Sequence, residues 1–195
     1  MSLLNVQREF FEVKSSPMSS AKLFYSFFQK APSITTSAHG RVNLIGEHTD
    51  YNNGFVLPSL IPQSLQVSIK LRNDDKIIGI SGEFGELRSS ISSSNDGTWL
   101  DFVRGTVYFC QKISPSIKGM EVAVSSSIPS GSGLSSSAAL EIALLKAITQ
   151  LKGISIQAEE MAKIGQQIEH QFVALNVESW IRWPLLAEHL DKLFF

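Results

Sequence analysis

Cysteine is almost missing from this chain. Cys110 is the only one among 195 residues, so no internal disulfide can form and a reducing compartment is expected. It lies in an apolar helical stretch, where a small core residue is the natural role. A surplus of charge of either sign is missing too. Seventeen Lys and Arg stand against eighteen Asp and Glu, for a net charge of −1. That gives no electrostatic case for a nucleic-acid partner or an anionic membrane surface. No apolar run is long enough to span a bilayer. The opening Met1-Ser-Leu-Leu-Asn-Val-Gln-Arg-Glu has charges where a signal peptide needs its apolar core, so the expectation is a cytoplasmic protein. Internal repeats are missing, and no composition shift marks a linker before residue 175. What the chain does have is hydrophobic mass. At 43% apolar and 18% charged, it can bury one sizeable core.

The most heavily patterned stretch is Ile128-Pro-Ser-Gly-Ser-Gly-Leu-Ser-Ser-Ser-Ala-Ala-Leu-Glu141. Before it, Val122, Val124 and the apolar positions around them, set among polar residues up to Ser126, read as a strand. Pro129 cannot donate to a ladder and stops that strand. Gly131 and Gly133 allow positive φ and a close backbone approach to a ligand. Ala138, Ala139, Leu140, Ile142 and Ala143 then open a helix, whose first free N–H groups and dipole favour an anion. Ser135, Ser136 and Ser137 add hydroxyls for phosphate oxygens or a metal ion. No Lys or Arg lies in the loop, so this is not a Walker A sequence, nor is it Gly-x-Gly-x-x-Gly. The residues alone also suit an ordinary Pro-Gly-Ser turn with a serine helix cap.

The rest of the chain reads as follows. Helical spacing of Phe10, Phe11, Leu23, Phe24, Phe27 and Phe28 predicts helix over 3–30, broken near Pro17. Residues 33–39 and the first half of 40–58 read as strand. Leu65, Val67, Ile69 and Leu71 alternate on one face of another. Residues 76–81, 87–92 and 120–126 read as further strands. Helices are expected over 99–113, from the serine run to about Leu151, and from Ile156 to about Val173. Strands mostly precede helices, which is an α+β pattern.

Glu47, His48 and Asp50 crowd into a polar loop after the second expected strand segment. Two carboxylates and an imidazole so close need something polar between them. Sugar hydroxyls suit this, held by charge-assisted hydrogen bonds. A solvated turn or a metal site would use the same residue types. Arg41, at the head of this run, is the type of residue that stabilises charge on a transferring phosphoryl group, although an Arg there also suits a surface.

Together the two runs resemble a known family. Pro129-x-Gly-x-Gly-Leu-Ser-Ser-Ser-Ala138 is similar to the phosphate loop of the galacto-, homoserine, mevalonate and phosphomevalonate (GHMP) kinases. Gly40-Arg-Val-Asn-Leu-Ile-Gly-Glu-His-Thr-Asp-Tyr-Asn-Asn-Gly-Phe-Val-Leu-Pro58 resembles the galactokinase signature, with His39 where that family has Pro. The resemblance implies an α+β domain like the second domain of ribosomal protein S5, forming the N-terminal part of a GHMP kinase over residues 1–175, with the family's second domain absent. It implies that Glu47, His48 and Asp50 contact galactose and that Arg41 assists transfer. It implies further that Pro129, Gly131, Ser132, Gly133, Leu134, Ser135, Ser136 and Ser137 hold ATP, and that Ser137 and Glu169 hold Mg²⁺. The expected activity is transfer of the ATP γ-phosphate to the anomeric hydroxyl of α-D-galactose. A non-catalytic galactose- and ATP-binding regulator is the alternative.

The resemblance fails after Asn176. The family continues Cys-Gly-Ile-Met-Asp-Gln-Met-Ala, whose Asp is the catalytic base; this chain reads Val177-Glu-Ser-Trp-Ile-Arg-Trp-Pro184, with Ile181 in that position. The family octapeptide can be written TGT GGA ATC ATG GAT CAG ATG GCC. Without its first base it reads GTG GAA TCA TGG ATC AGA TGG CC, which encodes residues 177–184. Residues 176–195 are therefore expected to be an aberrant, frame-shifted and truncated end of an impaired enzyme.

Overall fold

A computed structural model describes residues 17–46 and 55–173. Helix α1 (Ser20–Phe28) is followed by strands β1 (Ile34–Ile45), β2 (Leu57–Leu71), β3 (Lys76–Ser81) and β4 (Gly85–Ser90). Helix α2 (Leu100–Ile113), strand β5 (Met120–Ser126), and helices α3 (Ser136–Lys152) and α4 (Ala158–Ile168) complete it. The five strands form one sheet in the order β1-β2-β5-β3-β4. Only β3 and β5 run parallel, with Gly79 opposite Val122; the other neighbours are antiparallel. This is the α+β class that the sequence pattern predicts.

The two sheet faces differ because the strands alternate. Thr36, Ala38, Leu65, Val67, Ile69, Met120, Val122 and Val124 share one face by register, and the apolar ones belong to a core shared with α2, α3 and α4. Helix α3 is apolar nearly all round, with Ala139, Ala143, Leu144, Leu145, Ala147 and Ile148 buried, as a central helix must be. Its alanines let it lie close to the sheet: the Thr36 hydroxyl donates to the Ala143 carbonyl at 2.6 Å. The opposite face is more polar. There α1 is tied down by a Ser20–Ser68 hydroxyl bond of 2.9 Å, and by Lys30, which pairs with the buried Glu121 at 2.9 Å.

Several boundaries differ from the sequence reading, among them β4, which runs Gly85–Ser90 instead of 87–92. Strand β2 begins at Leu57 although Pro58 and Pro62 argue against strand. Over this part β2 has β1 on one side only, since pairing with β5 starts at Leu65, and an edge position tolerates a missing donor. Helix α1 starts at Ser20, and the helix expected before Pro17 lies outside the described residues. The last helix is α-helical only to Ile168 and then widens into a π turn over Glu169–Val173.

Cys110 is a core residue, as expected. Burial pushes its thiol up to about 12, so almost no thiolate exists near neutral pH. Native protein at pH 8 is therefore expected to resist alkylation by iodoacetamide, with one equivalent reacting only after denaturation. Fast modification of the folded chain would contradict this packing.

Candidate active site

The phosphate-loop reading rests on φ angles that the structure supplies. Gly131 has φ +67 and Gly133 +73. Ser135, which the sequence reading does not mark for unusual backbone, also takes the left-handed region at φ +58. Left-handed residues at alternate positions turn backbone N–H groups into an anion-binding concavity. A Cβ on either glycine would meet nothing within 4 Å, so the space beside the loop is open. The hydroxyls behave differently from one another. Ser132 donates to the Pro129 carbonyl at 2.7 Å and closes the loop on itself, leaving its backbone as its free contribution. Ser135 precedes the helix without making a side-chain cap bond. The serine-cap explanation therefore does not account for the loop. Ser136 and Ser137 open that turn. The partly buried Leu134 packs against the core.

The two sequence motifs meet in space. The pairing of β1 with β2 is irregular between His39 and Arg41, and there the backbone N–H of Arg41 donates to the Leu134 carbonyl at 3.1 Å. Gly40 is required at this junction, because a Cβ on it would lie 2.8 Å from that same carbonyl oxygen. The sequence reading places Arg41 beside a phosphoryl group by resemblance; the structure places its backbone against the phosphate loop. His39 Nδ1 lies 3.0 Å from the Ile61 carbonyl, so the residue that departs from the family pattern is absorbed by the β1–β2 pair. Glu47, His48, Asp50 and Ile181 lie outside the described residues.

Beside the loop is a cavity of about 1210 Å³. Pro129, Ser137, Ser81, Phe84, Trp99 and Phe102 are among its lining residues. The aromatic wall is the part that sequence reading missed. Asn95-Asp96-Gly97 reads as a turn, but nothing in its spacing places Trp99 beside residue 129. A buried network fixes that wall. The Asp101 carboxylate accepts from the Gly97 N–H at 2.8 Å and pairs with the fully buried Arg104, which also reaches Asp96 at 3.2 Å.

The remaining predicted residue, Glu169, opens the π turn that ends α4. Such wide turns interrupt a helix where a side chain needs a direction that a regular helix does not give, often at functional sites. Among the described residues no three His, Cys, Asp or Glu side chains cluster as a metal cage. A carboxylate and a hydroxyl, the donors that the resemblance assigns to Mg²⁺ through Glu169 and Ser137, are of the type that ion takes, since it usually binds one or two protein carboxylates and completes its shell with phosphate oxygens and water. The open cradle likewise fits a nucleotide.

Comparison with known proteins agrees with this geometry. A family profile described as the galactokinase galactose-binding signature matches residues 22–71, and one for the GHMP kinases N-terminal domain matches residues 101–179. A galactokinase of Pasteurella multocida is 39% identical over 165 residues, covering 81% of this chain and 43% of the relative.

The chain belongs to the galactokinase family of GHMP kinases.

The structure agrees with that placement. The galactokinase of Lactococcus lactis, solved with galactose, superposes with a TM-score of 0.67 at 29% identity, over 80% of this chain and 42% of that one. The mevalonate kinase of Methanococcus jannaschii shares the fold, with a TM-score of 0.60 at 22% identity over 70% and 45% of the two chains. This galactokinase-family chain thus spans less than half the length of the relatives it matches. The matched region is the N-terminal GHMP portion. No helix among the described residues is long and apolar enough to cross a membrane.

Proposed function

We propose that this chain carries the galactose- and ATP-binding half of a galactokinase active site. The contact between the Arg41 N–H and the Leu134 carbonyl carries this reading. It joins the strand that leads into the sugar signature to the loop suited to phosphate. In this reading Glu47, His48 and Asp50 hold galactose hydroxyls and orient the anomeric one. The backbone of residues 131–137 holds the ATP phosphates, and the cavity lined by Phe84, Trp99 and Phe102 takes the base. Arg41 offsets charge on the transferring phosphoryl group. Ser137 and Glu169 would hold Mg²⁺, which supplies charge neutralisation at the phosphates. Catalysis in such a site is mostly positioning and electrostatic stabilisation.

One component is out of place. Ile181 cannot accept a proton, and loss of a general base typically costs about 10²–10⁴-fold. We infer that residues 177–184 come from a shifted reading frame and that this 195-residue chain is a negligible kinase. The same substitution, beside an intact sugar motif and phosphate loop, favours the second reading of a non-catalytic galactose and ATP binder. A coupled assay with MgATP and galactose is expected to give no product above background; phosphorylation at the rate of an ordinary galactokinase would overturn the inactivity. Resequencing tests the frame: codons 177–184 are expected to read Gly-Ile-Met-Asp-Gln in a neighbouring frame. Galactose is expected to raise the melting temperature. Asp50→Ala is expected to remove that shift, because sugar hydroxyls lose a charged acceptor contributing roughly 1.5–3 kcal/mol. An unchanged shift in Asp50→Ala would take Asp50 out of the site.

A further inference from the structure

Trp99 lines the cavity beside the phosphate loop, yet its own polar atom does not hold it there. The indole Nε1 is buried and has no hydrogen-bond partner. A buried donor without a partner is rare in a folded protein and calls for a reason, because a buried tryptophan usually turns that N–H to an acceptor. The direction of this ring is set by its surroundings. Gly79 shares the Val122 face of the sheet by register, and the indole lies against it. A Cβ on Gly79 would stand 2.8 Å from Cζ2 of the ring and 2.9 Å from Cδ2 of Leu100, with the ring's Cη2 closer still. Strand β3 thus has a notch where a side chain is missing, and the outer edge of the indole fills it. The turn that carries Trp99 is fixed as well. The Gly97 N–H donates to Asp101 at 2.8 Å, the Thr98 N–H to Asp96 at 3.1 Å, and the Asp101 N–H to the Thr98 carbonyl at 3.0 Å. Arg104 joins both carboxylates and also donates to Ser89 on β4. Asp101 and Arg104 are buried. A buried ion pair is a weak source of stability, and apolar residues of similar volume often serve as well or better. What this pair supplies is the position of the turn at 96–99.

We propose that Gly79 is a positioning residue for nucleotide binding: by leaving a notch in β3 it seats the Trp99 indole, which the Asp101–Arg104 pair holds from the side of the turn, as a preset wall on which the nucleobase stacks. Base–aromatic stacking needs only a ring face at a fixed place. A wall set before binding avoids the ordering cost that a mobile side chain would bring. The proposal rests on the reading of this cavity as the site of the base.

The test compares two ligands on the full chain by calorimetry in the presence of Mg²⁺: a non-hydrolysable ATP analogue, and inorganic tripolyphosphate, which has a chain of phosphates and no base. The melting temperature of every variant reports folding. Gly79→Ala is expected to weaken binding of the analogue about tenfold or more, the scale of a lost base–aromatic stack, while tripolyphosphate binds as in wild type. A change that merely loosened the fold would weaken both. Trp99→Phe lacks the outer ring atoms that collide with a side chain at 79, so in that background Gly79→Ala is expected to cost little further affinity, the coupling that a double-mutant cycle reads. An unchanged ratio of the two affinities in folded Gly79→Ala overturns the proposal, as does a loss from Gly79→Ala that is equal with and without Trp99→Phe. If Gly79→Ala does not fold, Asp101→Leu with Arg104→Met decides by the same ratio, since removing both charges leaves neither buried alone: loss of the preference for the analogue supports the proposal, and its retention overturns it. Trp99→Ala separates the two ideas. If it keeps the wild-type preference, or if wild type itself binds the analogue no better than tripolyphosphate, the reading of the cavity has failed and the proposal with it; if it loses the preference while Gly79→Ala keeps it, only the role of Gly79 has.

Discussion

Gly133→Val abolishes binding of an ATP analogue by this chain while the helical circular dichroism persists; that is the expected result, and its basis is conformational as well as steric. Gly133 holds φ +73. A left-handed backbone costs an ordinary L-residue roughly 1–2 kcal/mol, and a β-branched one is a genuine outlier there. The added atoms would meet nothing within 4 Å in the protein, so nothing in the fold rejects them. They extend into the open concavity and occupy the path by which a phosphate would approach the backbone. Helix α3 is held by its buried apolar residues, not by the loop, and survives. Each 1.4 kcal/mol is about tenfold in affinity, so the strain and the lost contacts together predict a loss of about a hundredfold or more, read by calorimetry. Gly133→Ala separates the two causes, since it keeps the strain and adds only one carbon. Nucleotide affinity within a few-fold of wild type in Gly133→Val would place the cradle elsewhere.

Gly119→Ala is expected to be strongly destabilising, for a reason far from the site. Gly119 precedes β5 and threads through the turn between β2 and β3. Its N–H donates to the Asp74 carbonyl at 2.7 Å, and its carbonyl accepts from the Arg72 N–H at 2.8 Å. A Cβ there would lie 2.0 Å from the Lys76 carbonyl oxygen and 2.7 Å from that of Asp74. Both are backbone atoms and cannot swing away. The turn itself is braced. Arg72 donates to both carboxylate oxygens of Asp74, at 2.7 and 2.6 Å, and these bonds hold that carboxyl down to about 2. The turn therefore cannot move aside without breaking the pairing of β3 with β5. Overpacking of this kind costs about 3 kcal/mol or more, a fall in melting temperature of roughly 10 °C. Gly82→Ala is the control. Its Cβ would find only the Val124 carbonyl at 3.9 Å, and its melting temperature is expected to stay near wild type. A native melting temperature in Gly119→Ala would refute the packing described here.

Much of this protein was determined locally. Strands 76–81 and 120–126 are read at their observed bounds, because each is a short apolar-rich stretch marked off by local turn residues, Asn73-Asp74-Asp75 before the first and Pro129 after the second. The end of α3 is fixed by Gly153, which takes the left-handed cap at φ +63. The phosphate loop and the galactokinase signature are legible because their chemistry is carried by contiguous residues. Tertiary structure alone decided the rest. That Gly40 and Arg41 lie against Leu134 follows from β1 pairing with β2 and β2 with β5, a relation between residues more than ninety positions apart that no local pattern records. Pro58 and Pro62 fit in a strand only because that end of β2 lies beyond β5. Trp99 reaches the cavity, and Glu141 comes to lie beside Gly165, through helix packing. In sequence, a carboxylate on an apolar helix looks the same whether it ends up buried or facing water; which of the two happens depends on the helix that packs beside it.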